Sequence, residues 1–232
     1  TANEDQNVLV LVMTDGRAPY LAATIAAFDQ NVRGMISHRV IHDDSGDPSY
    51  TVWLRYTFPN WQVITPGLTC QKAGFSAAMR SAWRQVAEME GFGYVLHLED
   101  DFLFRRPVNL SDLTWVLEAH PHLAQMAFRR QPWSQYAGEG EGIGFVEKHH
   151  DQMSLITLKH HAWLEHQLVF TCNPSVYPRS ILDFGWPEGE KSERQFSDII
   201  KKKGLWCAFW GSHESGREWV HHIGHERTGH GY

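Results

Sequence analysis

Disulfides, membrane spans and a basic excess are what this chain of 232 residues lacks. Its cysteines, Cys70, Cys172 and Cys207, are odd in number and far apart, so they provide neither a disulfide framework nor a paired-cysteine metal knuckle. A reducing compartment is the expectation. No apolar run approaches the roughly 18 residues that a bilayer span needs, and Thr1-Ala2-Asn3-Glu4-Asp5 is not the basic-then-apolar opening of a signal peptide. The chain therefore reads as soluble and cytoplasmic, with no membrane partner. Lys and Arg number 21 against 27 Asp and Glu, a formal net charge of −6. That balance argues against a large non-specific nucleic-acid footprint but leaves room for a local basic groove. What the chain has in excess is histidine, 15 copies, including the doublets His149-His150, His160-His161 and His221-His222.

The hydrophobic pattern predicts one α/β domain over residues 1–232. Val8 to Met13 is a short β-branched run suited to a strand covered on both faces. Thr14-Asp15-Gly16-Arg17 turns into a helix opened by Pro19, with Leu21, Ile25 and Phe28 on one side. A second strand, His38 to His42, runs into Asp43-Asp44-Ser45-Gly46, and a third is expected over Trp61 to Ile64. Phe75, Met79, Ala82 and Val86 mark one face of a helix within Lys72 to Glu88. Tyr94 to Leu98 is the next strand and leads directly into Glu99-Asp100-Asp101. Strands alternating with helices imply a mainly parallel sheet with helices on both faces, which binds ligands at the carboxyl ends of its strands. Later elements are expected as a helix capped by Ser111, a loop over Ala137 to Gly144, and a rigid Asn-Pro turn at Thr171 to Arg179. A helix with a Ser192/Gln195 capping box and a last strand over Leu205 to Trp210 follow.

Three adjacent carboxylates after a buried strand repel one another and call for a cation. Mg²⁺ or Mn²⁺, with hard oxygen ligands and positions left for substrate phosphates, answers that need; a solvated acidic loop is the alternative. Val95-Leu96-His97-Leu98-Glu99-Asp100-Asp101 resembles the strand and DxD element of GT-A-fold glycosyltransferases, in Glu-Asp-Asp form. Lys72-Ala73-Gly74-Phe75-Ser76-Ala77-Ala78-Met79-Arg80-Ser81 is similar to the segment that precedes this motif in family 2 enzymes, with Lys72 and Arg80 where Asn often stands. The likeness covers about residues 8 to 110, the nucleotide-binding half; residues 111–232 would form the acceptor half.

The resemblance implies a single-domain, Rossmann-like GT-A fold and a metal-dependent, inverting transferase acting on a nucleotide sugar, a UDP-sugar first. It implies that Thr14 belongs to the nucleotide-sugar-binding half, that Arg17 lies near base or phosphate and that Asp43 or Asp44 faces the nucleoside. Asp101 would bind the metal, Asp100 the ribose or metal, with Glu99 in support. In the tail, His222 would complete the metal shell, His221 being the alternative, and His225 and Arg227 would contact phosphate. An acidic residue at the start of a late helix would be the general base; Glu193 is the choice and Glu190 the reserve, since Arg194 stands where an Asp is common. Asn173 would hydrogen-bond sugar hydroxyls. Trp133, Tyr136, Trp163 and Trp186 are further candidates for sugar or base contacts, although most tryptophans must be core. The acceptor stays open among protein, glycan, lipid-linked sugar and modified nucleic-acid base. The competing classes are a nucleotidyltransferase on a similar sheet and a non-catalytic sugar- or nucleotide-binding module.

Overall fold

A computed structural model describes residues 4–67, 71–131, 144–213 and 218–224. In chain order the elements are β1 (Val8–Thr14), α1 (Ala18–Asn31), β2 (Val32–Arg33), β3 (Ile36–Asp43), α2 (Pro48–Thr57), β4 (Gln62–Ile64), α3 (Phe75–Ala87), β5 (Tyr94–Glu99), β6 (Phe102–Phe104) and β7 (Val108–Asn109). They continue with α4 (Leu110–Ala119), β8 (Leu123–Phe128), α5 (Phe145–Lys148), β9 (Ser154–Leu158), β10 (His161–His166), β11 (Ser175–Pro178), α6 (Ser192–Lys202), β12 (Trp206–Trp210) and β13 (Val220–His222). A nine-stranded sheet joins both halves in the order β4-β3-β1-β5-β11-β8-β12-β10-β9. All of its strands point the same way except β10 and β11, as their antiparallel registers show. No helix among the described residues is long and apolar enough to cross a membrane.

Side-chain alternation along the buried strand β1 divides the core into two layers. Val8, Val10 and Val12 join Leu21, Ile25 and Phe28 of α1, Leu54 of α2 and Leu113 and Val116 of α4 on one face. Leu9 and Leu11 join Met79, Trp83 and Val86 of α3 and Phe196 and Ile200 of α6 on the other. Trp163 and Trp186, candidates for ligand contacts, are instead core residues, 0% and 4% exposed.

Four local expectations are corrected. The second helix, α2, was not anticipated; Asp47 caps it by accepting from Ser49 N at 2.8 Å, and Pro48 opens it. Ser111 does not cap α4, because Asn109 does, accepting from Ser111 N at 3.3 Å. Ser192 is the first residue of α6 rather than its cap, and its hydroxyl is buried without a partner. The Asn173-Pro174 turn is real but leads into β11, which is inserted between β5 and β8. Pro178 is tolerated there because it ends the strand. The loop expected over Ala137 to Gly144 lies outside the described residues up to Ile143, as do Trp133 and Tyr136.

Three histidines are sealed in this interior. His42, His97 and His166 are no more than 1% exposed, and neither ring nitrogen of His97 has a partner. Burial pulls each of them down to about 4 from the usual 6.5. Between those values the unfolded chain takes up protons that the native one refuses, so native stability is full above pH 6.5 and drains away as pH falls through 4. The urea midpoint is expected to drop steadily from pH 6.5 to 4.5, and His97→Phe to flatten that slope by about one proton, roughly 1.4 kcal/mol per pH unit. A midpoint constant across this window would contradict neutral burial.

Candidate active site

β1 and β5 run parallel with Met13 opposite Glu99, which places the turn after β1 beside the acidic turn after β5. Arg17 stands between them. Its Nε donates to Asp15 Oδ1 at 3.0 Å, its Nη1 to Asp101 Oδ2 at 2.8 Å, and its Nη2 to Asp100 Oδ1. Lys72 Nζ donates to the other oxygen of Asp15 at 3.2 Å. Thr14 Oγ1 donates to Asp100 Oδ2 at 2.8 Å and lies 2.9 Å from the Tyr50 hydroxyl, while Thr24 Oγ1 donates to the Asp100 carbonyl at 2.8 Å.

These contacts sort the three acids electrostatically. Burial pushes Asp100 up to about 7, against the downward pull of Arg17 and Thr14. Burial also works upward on Asp101, but His222 and Arg17 outweigh it and hold this carboxyl below its ordinary value. Glu99 is driven well up by burial first and then by the charges of Asp101, Glu193 and Asp100. For Arg17, burial opposes the charge, yet Asp100, Asp101 and Asp15 together raise it above the usual guanidinium value. Asp101 is therefore the most readily ionised of the Glu-Asp-Asp set.

His222 reaches Asp101 from the other end of the sequence. β13 pairs antiparallel with β6, setting His222 opposite Phe102. Gln131 brackets the His222 backbone, accepting from its N–H at 2.9 Å and donating to its carbonyl at 2.8 Å. The His222 ring packs on Phe102 at 4.8 Å between centroids, and its Nε2 lies 3.2 Å from Asp101 Oδ2. Ile223 N donates to the Asp101 carbonyl at 2.8 Å. Beyond it a side chain at Gly224 would collide with the Asp101 carboxylate, so bare backbone covers the pair.

The donor set suits a hard divalent cation in part. Asp101 Oδ1 is buried with no hydrogen-bond partner, and it sits on the same carboxylate that the His222 imidazole approaches. Carboxylate oxygen and imidazole nitrogen match Mn²⁺ or Mg²⁺, which commonly take further oxygens from a substrate's phosphates. Among the described residues, no group of three His, Cys, Asp or Glu is arranged to hold a metal. Asp101 and His222 could supply two positions in the shell of such an ion, with the others falling to substrate and water.

A cleft of about 920 Å³ opens over these residues. Of the residues singled out from sequence, Thr14, Arg17, Asp44, Arg80, Glu99, Asp100, Asp101, Asn173, Glu190, Glu193 and His222 line it. Glu193, in the first turn of α6, accepts from Cys172 N at 2.9 Å, which fixes its carboxylate at the wall. Asn173 lies beside that wall, its N–H donating to Thr171 Oγ1 at 3.1 Å. Arg80 is exposed and paired with Glu188. Glu190 is exposed at the rim. Asp43 is not brought to the cleft: it accepts from Ser45 N at 2.9 Å and from Thr51 Oγ1 at 2.6 Å, and so builds the turn after β3. Lys72 also lies outside the lining and acts through Asp15. His225 and Arg227 fall outside the described residues.

Asp15, Arg129, Arg130 and Gln131 line the cleft without having been singled out as ligand contacts. Burial lowers Arg130 to about 10 while Glu99, Asp101 and Glu193 pull it back up, which places its charge among the acids of the site. The missed signal was strand β8. Read as a strand, its carboxyl end would have put Arg129-Arg130-Gln131 on the same edge as Glu99-Asp100-Asp101.

No protein-family model and no curated protein matches the sequence. Solved structures do match. A mannosyltransferase from Pyrobaculum calidifontis in complex with GDP-Man and Mn²⁺ is 14% identical at a TM-score of 0.52, covering 90% of this chain and 58% of its own. GalNAc-T7 with UDP, GalNAc and Mn²⁺ is 12% identical at a TM-score of 0.63, covering 94% of this chain and 44% of its own. The chain has a GT-A-like fold. Its 232 residues span about half the length of those two proteins. CMP:2-keto-3-deoxy-manno-octonic acid synthetase complexed with CTP also superposes, at 12% identity and a TM-score of 0.53, over 91% of this chain and 92% of its own.

Within this GT-A-like sheet, Asp44 has a structural task that can be measured apart from ligand binding. It is 2% exposed and accepts from Ala73 N at 2.8 Å and Gly74 N at 3.0 Å, tying β3 to the start of α3. Asp44→Ala removes the acceptor of two part-buried N–H groups and is expected to cost about 1 kcal/mol in urea unfolding, with Asp44→Asn losing about half as much. Wild-type stability in Asp44→Ala would show that the carboxylate is held for a ligand alone.

Proposed function

We propose that the chain is a metal-dependent glycosyltransferase that takes a sugar from a nucleotide-sugar donor and transfers it with inversion to an acceptor hydroxyl. The observation that carries this reading is the meeting of Asp101 and His222 at 3.2 Å over a buried carboxylate oxygen without a donor, in a cleft that Glu193 also lines. The neighbours of like fold, with GDP-Man or UDP and with Mn²⁺, support the donor class and the metal.

In this reading Asp101 and His222 hold Mn²⁺ or Mg²⁺, which when bound offsets the charge that builds on a departing nucleoside diphosphate. Arg17 and Arg130 add fixed positive charge on the same side of the cleft. Thr14 keeps Asp100 in place by its hydrogen bond. Asn173 faces the donor sugar. Glu193, oriented by the Cys172 N–H, accepts the proton of the acceptor hydroxyl as that oxygen attacks the anomeric carbon and the sugar–phosphate bond breaks; Glu190 is the reserve for this role. The Glu193 carboxylate is made an effective base by position: it is anchored through one oxygen, leaving the other for the hydroxyl.

A second reading, transfer of a nucleotide rather than a sugar, is favoured by the full-length superposition on the CTP-complexed synthetase. Products separate the two. Incubation with UDP-, GDP- and TDP-sugars, with and without Mn²⁺, is expected to release nucleoside diphosphate only with metal. Asp101→Asn should lower kcat/KM at least 100-fold, and Glu193→Gln should lower kcat by a factor of ~10² or more while leaving nucleotide affinity within about threefold. Release of inorganic pyrophosphate from a nucleoside triphosphate and a sugar would establish the second reading. Absence of metal-dependent turnover with every donor would defeat the first.

A further inference from the structure

The most unusual group in the cleft is Arg17, because a single guanidinium satisfies carboxylates from three residues, Asp15, Asp100 and Asp101, and shares one oxygen, Asp101 Oδ2, with His222. We infer that Arg17 is a cation gate: in the nucleotide-free protein it supplies the positive charge that a divalent ion supplies in the loaded one, so the ion enters with a nucleoside diphosphate and not before it. This inference rests on the proposed metal-dependent reading of the same site.

The argument is one of charge and shape. Asp101 is 5% exposed, and its Oδ1 has no partner, so the residue is a ligand waiting for a cation. Its other oxygen already receives Nη1 at 2.8 Å. A divalent ion placed on Asp101 and His222 would therefore meet a guanidinium bonded to the same carboxylate, in an enclosed setting where like charges repel strongly. That repulsion falls in only one economical way, through an anion that draws the guanidinium off. The planar fork of Arg matches phosphate oxygens as well as carboxylate oxygens. A diphosphate can thus take over the Arg17 donors while adding its own oxygens to the ion. The carboxylates that Arg17 releases do not stay uncompensated, since the ion replaces its charge. Lys72 remains on Asp15 throughout and is too exposed, at 40%, to serve as the gate itself.

Manganese binding to the nucleotide-free protein tests this directly, read by the loss of the free-ion electron paramagnetic resonance signal. Arg17→Met is expected to bind Mn²⁺ at least tenfold tighter than wild type without any nucleotide. Arg17→Lys, which keeps the charge, should stay within about threefold of wild type, and Arg17→Met combined with Asp101→Asn should lose the gain. Adding UDP or GDP should tighten Mn²⁺ binding in wild type by more than tenfold and in Arg17→Met by much less. Equal or weaker Mn²⁺ binding in a folded Arg17→Met, checked by circular dichroism, would overturn the gate. Should that variant fail to fold, wild-type Mn²⁺ affinity that is the same with and without UDP and GDP would overturn it equally. No sugar transfer is read in these measurements, so a donor panel without turnover would remove the glycosyltransferase reading while leaving the cation result to stand or fall alone.

Discussion

Carboxylates do not gather unless something holds them, and in this fold the holder is the guanidinium of Arg17. Asp15 comes from the turn after β1, Asp100 and Asp101 from the turn after β5, and one planar fork binds all three. Remove that cation and the carboxyl ends of two central strands carry mutually repelling, buried charge. With it, the strand ends stay in register, Thr14 and Thr24 can lock Asp100, and Asp101, the acid held below its ordinary value, faces His222. The chemistry of the cleft is a consequence of how this one charge is shared.

The two halves of the sheet meet the site differently. β1, β3, β4 and β5 are parallel and deliver their turns to one edge by simple repetition. β11 then enters antiparallel between β5 and β8. Its insertion is held by Gln125, fully buried, which donates to the Thr171 carbonyl at 2.6 Å and to Ser175 Oγ at 2.8 Å and accepts from Thr171 N at 2.9 Å. The side-chain amide thereby satisfies the backbone N–H and carbonyl of Thr171, ahead of the Asn-Pro turn that leads into β11. Just past the end of β8, Arg130 stands among the charges of Glu99, Asp101 and Glu193, and Gln131 holds the His222 backbone.

Much of this was legible in the sequence because burial on both faces writes a plain pattern. Val8 to Met13 and Tyr94 to Leu98 could hardly be anything but central strands, and α3 and α6 show a clear apolar face. The approach of His222 to Asp101 was to be expected only through resemblance to a known family, since no local pattern links positions so far apart. Other features left no such trace. β8 is written Leu-Ala-Gln-Met-Ala-Phe, without a β-branched residue, and its buried glutamine looks polar until Thr171 and Ser175 are seen around it. β11 carries proline at its end and an Asn-Pro turn at its start, both ordinary loop signals. Asp43 and Asp44 are adjacent and chemically identical, yet one closes a turn and the other ties down α3. Nothing local separates them, because the difference lies in which backbone amides the fold brings near.

The short strand β13 gives the molecule two separate kinds of integrity. Every strand of the nine-stranded sheet precedes it in sequence, the last being β12, so that sheet closes without it. The pair that joins Asp101 to His222, by contrast, spans 121 positions and rests on three residues laid along β6, backbone bonds of Trp219 and Val220 to Arg129 and Arg105, a Gln131 bracket and one bond from Ile223. Such a seam can come undone by local opening while the core remains protected. A population of molecules that is fully folded by a global measure can therefore contain members whose site is unassembled, and the fraction competent at any moment is set by the free energy of this seam and not by that of the whole fold.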